Sequence, residues 1–197
     1  QLPDDRSLPS LAEAVRACSV CPLSDPSLRG VPGEGPVDAA IAIVGERPGD
    51  LEDQTGRPFV GPAGQLLDRA LGMAGLPRES LYLTNAVKHF GYRRNPDSPK
   101  RIHESPERYV VEVCRTFVFA ELEALAPRVT VALGNTAARS LFGKAVSVGS
   151  LRDQVCSTRF GTTLVGPHPA SILRSGGDIE PLVKVLRHAR ELSETSR

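Results

Sequence analysis

Hydrophobic residues along this chain form short uninterrupted runs that alternate with longer amphipathic segments. The short runs are typical of strands buried on both faces of a parallel sheet, and they cover residues 39–46, 81–87, 129–134 and 162–169. The amphipathic segments have a helical period and predict helices at residues 7–18, 64–75, 105–125, 135–143 and 179–194. Because strands and helices alternate, the pattern predicts an α/β fold of three layers, α/β/α, around a central four-stranded, mainly parallel sheet.

Length and composition indicate one folded domain over residues 1–197, with 40% hydrophobic and 24% charged residues. Ser105 is predicted to cap the longest helix, with Pro106 in its first turn. No apolar run approaches the roughly 20 residues of a membrane span, and no signal-peptide pattern opens the chain, so a cytoplasmic location is predicted. The first residue is glutamine, so a processed or trimmed start is expected.

A basic segment at residues 88–108 stands out against a net charge of only +1. Its cations are Lys88, Arg93, Arg94, Lys100 and Arg101, and one acid, Asp97, lies among them. His103 follows in the stretch PKRIHESP, which is too polar for a core and is predicted to be a loop. A local basic loop on a nearly neutral protein suits contact with a few phosphates. A solvated loop without a ligand is the alternative.

The strand ends give a second set of candidates, because ligands of such folds bind outside the carboxyl ends of the strands. Glu46, Asn85 and His168 each end or follow a predicted strand, so a carboxylate, an amide and an imidazole are expected at one edge. The segment 45–64 matches neither common phosphate-binding glycine motif. It offers Phe59, whose ring is predicted either to stack on a planar ligand or to fill the core.

Five motifs occur in order along most of the chain: GERPG at 45–49, GRPFVGPAG at 56–64, LTNAVKHF at 83–90, KRIH at 100–103 and HPASILR at 168–174. Together they resemble the iron-sulfur uracil-DNA glycosylases, and more narrowly the UdgX group, which is related to family 4. The KRIH motif distinguishes that group from ordinary family-4 enzymes. The resemblance runs from Cys18 to Arg174 and implies the uracil-DNA glycosylase-like fold and excision of uracil from DNA.

The resemblance implies a role for each site residue. The Asn85 amide would accept a hydrogen bond from uracil N3–H and donate one to O4, a pattern that cytosine reverses. Phe59 would stack on the base, and His168 would bind the O2 side as negative charge develops. Glu46 would stabilise the sugar cation or position a water. In UdgX-type proteins the histidine at position 103 attacks C1′, so that the protein stays bonded to the DNA.

DNA contacts are implied for four further residues. Lys100 and Arg101 would hold phosphates that flank the flipped nucleotide, Leu173 would fill the gap in the base stack, and Arg174 would hold a phosphate. Single-stranded DNA is the expected substrate form because flipping a base costs least there. The protein is expected to act as a monomer.

The pair Cys18-x-x-Cys21 lies in the N-terminal segment 1–37 and predicts either a redox pair or metal ligands. The resemblance implies a [4Fe-4S] cluster held by Cys18, Cys21, His89 and Cys114. Cys114 also lies on an apolar helical stripe, so a plain core thiol is its alternative role. Cys156 falls outside the family pattern.

Arg47 departs from the resemblance, since UdgX proteins usually carry glutamine there. Arginine only donates hydrogen bonds, so it cannot accept one from His103. It is predicted to line the substrate pocket with Asp53, where it could lower the pKa of His103, pair with Asp50 or Asp53, hold a phosphate, or block the pocket. Three hypotheses follow: a glycosylase that traps itself on DNA, a multiple-turnover glycosylase using water, and a non-catalytic iron-sulfur module that binds uracil-containing or damaged DNA.

Overall fold

The computed structural model describes residues 2–20, 28–95, 98–143, 146–151 and 153–195, with side chains except at positions 94, 95 and 98–100. Within these residues the strands are β1 (Ile41–Gly45), β2 (Leu81–Asn85), β3 (Tyr92–Asn95), β4 (Ser98–His103), β5 (Val129–Leu133), β6 (Cys156–Thr158) and β7 (Gly161–Gly166). The helices are α1 (Leu8–Arg16), α2 (Asp50–Thr55), α3 (Pro62–Ala74), α4 (Arg108–Leu125), α5 (Gly134–Phe142), α6 (Val148–Leu151), α7 (Pro169–Ser175) and α8 (Glu180–Thr195). None of these helices is long and apolar enough to cross a membrane.

The central sheet has five strands in the order β2-β1-β5-β7-β6, where four were predicted. The four predicted strands are all present and pair in parallel, while β6 pairs antiparallel with β7 at the edge. β6 was missed because it is three residues long and half-exposed, so no apolar run marks it.

Side chains alternate between the two faces of this sheet, and each face has its own core. On β1, Ile41 and Ile43 pack with α3 and α8, whereas Ala42 and Val44 pack with α4 and α5. Helices therefore cover both faces, which confirms the predicted mainly parallel α/β architecture with layers on each side of the sheet.

The segment predicted as a basic loop contains a two-stranded antiparallel hairpin, β3–β4, in which Tyr92 pairs with His103 and Arg93 with Ile102. No apolar pattern predicts strands in this segment because the hairpin is mostly polar. Helix α4 begins at Arg108 with Glu107 as its N-cap, so the predicted cap at Ser105 is wrong. β7 ends at Gly166, three residues before the predicted end.

Lys88 is buried, although it was counted among the cations of the basic segment. Its side chain is 0% exposed and that of Glu121 is 1% exposed. Lys88 Nζ donates to Glu121 Oε2 and to Thr84 Oγ1, both at 2.6 Å. Thr84 Oγ1 also donates to Glu121 Oε2 at 2.7 Å, and the amide of Gly33 donates to Oε1 at 3.1 Å. This network ties the segment after β2 to α4.

Substitution of Lys88 by methionine should lower the free energy of unfolding by about 3–5 kcal/mol, because the Glu121 carboxylate would stay buried without its cation. Urea denaturation measures this change. The double variant Lys88→Met/Glu121→Leu should recover part of the loss. Glu123→Gln, which breaks the exposed pair with Arg159, is the control and should cost no more than about 1 kcal/mol. A Lys88→Met protein as stable as this control would contradict the assigned role of the buried pair.

Candidate active site

A cleft of about 650 Å³ opens at the carboxyl ends of the central parallel strands. Glu46 follows β1, Asn85 ends β2, and His168 follows β7, and all three line this cleft. His103, the last residue of β4, lines it from the hairpin side. The structure thus brings together residues from four separate segments. They meet at the carboxyl ends of the strands, where ligands of parallel α/β folds bind.

The side chains of Asn85 and Phe59 meet over Gly45. A Cβ at Gly45 would lie 2.4 Å from Asn85 Oδ1 and 2.5 Å from Phe59 Cζ, so any other residue there would displace one of them. Both side chains are nearly fully buried and both line the cleft. A fixed amide beside a fixed aromatic ring suits a planar heterocycle whose edge carries both a donor and an acceptor.

Glu52 holds the segment that carries Phe59. Its Oε1 accepts hydrogen bonds from the amides of Val60 at 3.1 Å and Gly61 at 2.9 Å, and its Oε2 accepts one from Gly49 at 3.1 Å. Phe59 has φ +55°, a left-handed conformation that is costly for an aromatic residue. We did not predict a role for Glu52 from the sequence. Its position three residues after Gly49, in the first turn of α2, is the signal for such a capping interaction.

His168 caps helix α7, and this fixes which of its nitrogens faces a ligand. Its Nδ1 accepts a hydrogen bond from the amide of Ala170 at 3.2 Å, so the neutral ring carries its proton on Nε2. Burial lowers the pKa of His168 to about 4; Glu46 opposes this, while Arg174, and His103 whenever it is protonated, act in the same direction as burial. At neutral pH the site therefore presents an uncharged N–H donor.

Glu46 lies close to both cleft histidines and opposes the lowering of their pKa values. Thr136 Oγ1 donates a hydrogen bond to Glu46 Oε2 at 2.7 Å, which orients the carboxylate. Thr136 was not identified from the sequence. It lies in the first turn of α5, directly after β5, so its place at a strand end was the available signal.

The surroundings of His103 lower its pKa, although the residue is exposed at the cleft wall. Partial burial of the ring is the largest cause, Arg47 and Arg174 lower the pKa further, and Glu46 and Glu52 oppose them. The ring centroid lies 6.1 Å from that of Phe90. A neutral imidazole has one nitrogen with a lone pair available, which is the form that a nucleophile requires.

Arg47 braces the hairpin that carries His103. Its Nη1 donates to the carbonyl of Glu104 at 2.8 Å, and its Nη2 and Nε donate to the carbonyl of His89 at 3.1 and 3.3 Å. A Cβ at Gly91 would lie 1.9 Å from Arg47 Nη2, so the glycine makes room for the guanidinium. Arg47 also lines the cleft, as predicted, while its side chain is almost fully buried.

Arg101 pairs with Asp50 and Asp53, either of which was a possible partner of Arg47. It donates to Asp50 Oδ1 and, at 2.6 Å, to Asp53 Oδ2, and its guanidinium lies 4.9 Å from the ring centroid of Phe90. These contacts join the hairpin to α2. A phosphate role for Arg101 stays a prediction, and its guanidinium would have to leave these carboxylates to fulfil it. Asp53 is buried and does not line the cleft, contrary to its predicted place in the substrate pocket.

The remaining DNA-contact candidates lie at the rim or outside the described side chains. Leu173 and Arg174 of α7 both line the cleft, and Leu173 is 47% exposed. An exposed leucine beside a polar cleft is the geometry that a base-stack wedge requires. The side chain of Lys100 lies outside the described residues.

The proposed cluster ligands are only partly described. His89 is 1% exposed, and its Nδ1 has no hydrogen-bond partner among the described residues. Cys114 is buried in α4, Cys18 is half-buried after α1, and Cys21 lies outside the described residues. Within the described part of the chain no three His, Cys, Asp or Glu side chains come together as a metal site. The orphaned imidazole nitrogen fits a metal ligand, because buried polar atoms normally have partners.

Comparison with known proteins agrees with this site. A family model described as the uracil DNA glycosylase superfamily matches residues 32–190. The type-4 uracil-DNA glycosylase of Pyrobaculum aerophilum is 36% identical over 175 residues, which cover 85% of this chain and 85% of the relative. That of Thermotoga maritima is 39% identical over 168 residues, covering 84% and 82%. The chain therefore belongs to the uracil DNA glycosylase superfamily.

Substitution of Arg47 by methionine should lower the free energy of unfolding by about 1–3 kcal/mol, because the buried carbonyl of His89 and the part-buried carbonyl of Glu104 would lose their donor. Urea denaturation measures the loss, and amide hydrogen exchange should show faster opening of the hairpin. Arg57→Met is the matched control, since Arg57 forms an exposed pair with Glu34 and should cost less than about 1 kcal/mol. Equal stability of the two variants would show that Arg47 does not brace the hairpin.

The lowered pKa of His168 should make stability depend on pH. In the unfolded chain a histidine titrates near ~6.5, whereas folded His168 titrates at about 4, so the unfolded state binds more protons between these values. The stability that this pKa difference contributes is fully present above pH ~6.5 and is lost as the pH falls toward about 4. Urea denaturation measures the free energy of unfolding across this range. As the pH falls, the free energy of unfolding of His168→Gln should decrease by about 1–3 kcal/mol less than that of the wild type. Identical slopes would contradict the assignment.

Proposed function

We propose that this protein is a uracil-DNA glycosylase whose base pocket is the cleft at the strand ends. The observation that carries the proposal is the convergence of Asn85, Phe59, His168 and Glu46 on that cleft. Such an enzyme must take its base out of the stack, stack it on an apolar surface and read its Watson–Crick edge. Asn85 and Phe59 supply the amide and the ring for this. The names of the type-4 relatives support the same activity.

Cleavage of the glycosidic bond leaves its electron pair on the uracil ring, shared between N1 and O2, and leaves positive charge on the sugar. The Nε2–H of His168 would donate to O2, where a fixed neutral donor is most effective because charge appears there only during reaction. The Glu46 carboxylate, oriented by Thr136, would stabilise the oxocarbenium-like sugar. The base would thus leave as an anion without prior protonation.

We further propose that His103 captures the sugar, as in UdgX-type proteins. The lone pair of one imidazole nitrogen forms a bond to C1′ as the bond to uracil N1 breaks, and the ring becomes cationic. Its remaining N–H proton passes by way of Glu46 to the released uracil, so atoms and charges balance. The place of His103 on the cleft wall and the cause of its lowered pKa both support this step.

A water-using enzyme of the type-4 kind is the second candidate. In that reaction Glu46 would position a water against C1′, and His103 would be idle. The observation in its favour is the hydrogen bond from Thr136, which presets the carboxylate without any contribution from the hairpin. The relatives named above are also type-4 glycosylases.

A [4Fe-4S] cluster is proposed for the N-terminal side of the hairpin, with Cys18, Cys21, His89 and Cys114 as its ligands. The partnerless, buried Nδ1 of His89 is the observation that supports it. Such a cluster would supply a structural crosslink between the segment after α1, the segment after β2 and α4. A histidine ligand in place of a thiolate should raise its potential.

The proposed DNA contacts extend from the rim of the cleft. Leu173 would fill the gap in the stack, and Arg174, Lys100 and Arg101 would hold flanking phosphates. A single strand is the proposed substrate because no base pair has to be opened. We propose a monomeric, cytoplasmic protein, in keeping with the sequence analysis.

The decisive test mixes purified protein with a labelled, uracil-containing single strand and resolves the products on a denaturing gel with and without alkali. Self-trapping predicts a labelled band at protein size in the wild type. His103→Ala should lose that band and yield alkali-labile DNA instead, because excision persists and water then attacks C1′. His188→Ala replaces a histidine of α8 outside the cleft and should keep the band.

The other possible results of this gel also distinguish between the hypotheses. Alkali-labile DNA without a shifted band in the wild type would support the water-using enzyme and reject the His103 step. DNA left intact by fresh protein with its cluster would reject the glycosylase proposal altogether. The visible absorbance and iron content of that preparation test the cluster, and an active, colourless, iron-free protein would exclude it.

A further inference from the structure

A small second pocket lies between the start of α4 and the end of α5, separate from the cleft. Its volume is about 120 Å³, enough for a few waters at roughly 30 Å³ each or for one tetrahedral oxyanion. Three arginines line it: Arg108 and Arg115 of α4 and Arg139 of α5. Val111 and Ser140 complete its buried wall.

The charges around this pocket are not balanced. Glu112 is the one acid in its described wall, and it accepts a hydrogen bond from Arg108 at 2.8 Å. Among the described residues, Arg115 and Arg139 have no carboxylate partner. The Arg115 guanidinium lies instead 5.4 Å from the ring centroid of Phe119 and beside Gly143. Two half-buried cations on one small concave surface attract an anion, because the surrounding protein screens them less than water would.

A buried hydroxyl in the wall points to the same kind of ligand. Ser140 is 1% exposed, and its Oγ has no hydrogen-bond partner among the described residues. A buried hydroxyl without a partner is costly, so most such groups in folded proteins bind something. Ser140 lines the pocket, so its hydroxyl is a candidate donor to an oxygen lying between the arginines.

We propose that this pocket binds a phosphate group. Guanidinium groups present paired N–H donors that match the oxygens of phosphate, and the combination of several arginines with one hydroxyl is a common way to bind it. The three arginines carry three positive charges. Glu112 neutralises one of them, and a phosphate with a single negative charge would neutralise a second. Phosphate is therefore a better match than a carboxylate, which has fewer acceptor oxygens.

The position of α5 suggests that this phosphate can belong to the DNA. α5 begins at the cleft, where a Cβ on Gly134 would lie 3.0 Å from His168 Cβ, and it ends at the arginine pocket. A helix of nine residues spans about 13 Å, which is the length of a few nucleotides of DNA backbone. The pocket would hold the backbone several nucleotides from the flipped base. The assignment of this phosphate to DNA rests on the proposed function, whereas binding of a free phosphate ion does not.

Binding of a uracil-free single strand of about 15 nucleotides tests the DNA source, since no excision can occur. In fluorescence anisotropy, the double variant Arg115→Gln/Arg139→Gln should bind roughly tenfold more weakly than the wild type. The slope of log affinity against log salt should fall by about 0.7 for the phosphate contact that is lost. Arg187→Gln on α8, in the opposite helix layer, removes a cation elsewhere and should leave both values unchanged.

Inorganic phosphate tests the free-ion source by thermal unfolding. It should raise the melting temperature of the wild type and not that of the double variant. Ser140→Ala should fold at least as stably as the wild type, because it removes a partnerless hydroxyl, yet gain less from phosphate. Weaker strand binding by the double variant identifies DNA as the source of the phosphate. Unchanged strand binding, together with a lost stabilisation by phosphate, identifies the free ion. The proposal is wrong if the double variant matches the wild type both in strand binding and in its response to phosphate. It is also wrong if Arg187→Gln weakens strand binding as much as the double variant does.

Discussion

The lack of a side chain at Gly45 is the constraint on which the active-site geometry depends. β1 and β2 end in register, with Gly45 beside Asn85, and Phe59 closes over the same point. The amides of Ala86 and Val87 continue the pairing by donating to the carbonyls of Gly45 and Glu46. The segment after the strands is therefore as fixed as the sheet itself, and it places an amide, an aromatic ring and a carboxylate within one pocket. Preorganisation of this kind avoids reorganisation during the reaction.

Two buried charges hold the walls of the cleft without taking part in its chemistry. Glu52 binds three backbone amides and keeps Phe59 in its left-handed conformation. Arg47 binds two backbone carbonyls and keeps the end of the hairpin against the segment after β2. Each charge is satisfied by backbone dipoles, which is why it can be buried. In the Phe59 segment these contacts add to the packing of the Phe59 ring in the core of the sheet.

The sequence was most informative where periodicity and strand ends decide the structure. The four parallel strands, their helices and the convergence of Glu46, Asn85 and His168 followed from those patterns. The hairpin was missed because its residues are polar, and its stability comes from contacts with distant groups such as Asp50 and Arg47. The burial of Lys88 was missed for the same reason, since its partner Glu121 lies 33 positions away. Side-chain partners of that kind become visible only in three dimensions.

If His103 attacks C1′ as proposed, its competition with water depends on how firmly the hairpin is held. An imidazole fixed beside the anomeric carbon acts at an effective concentration far above that of a diffusing group, provided that its position is maintained. In this chain Arg47 holds the backbone at Glu104, next to His103, and Arg101 joins the middle of β4 to α2. Arg47 therefore holds the backbone that carries His103 and not its imidazole ring. Under the proposed mechanism, loosening the Arg47 attachment should shift the products from trapped protein toward free abasic DNA while uracil release continues, because Asn85 ends β2, His168 follows β7, and Glu52 holds the segment of Phe59.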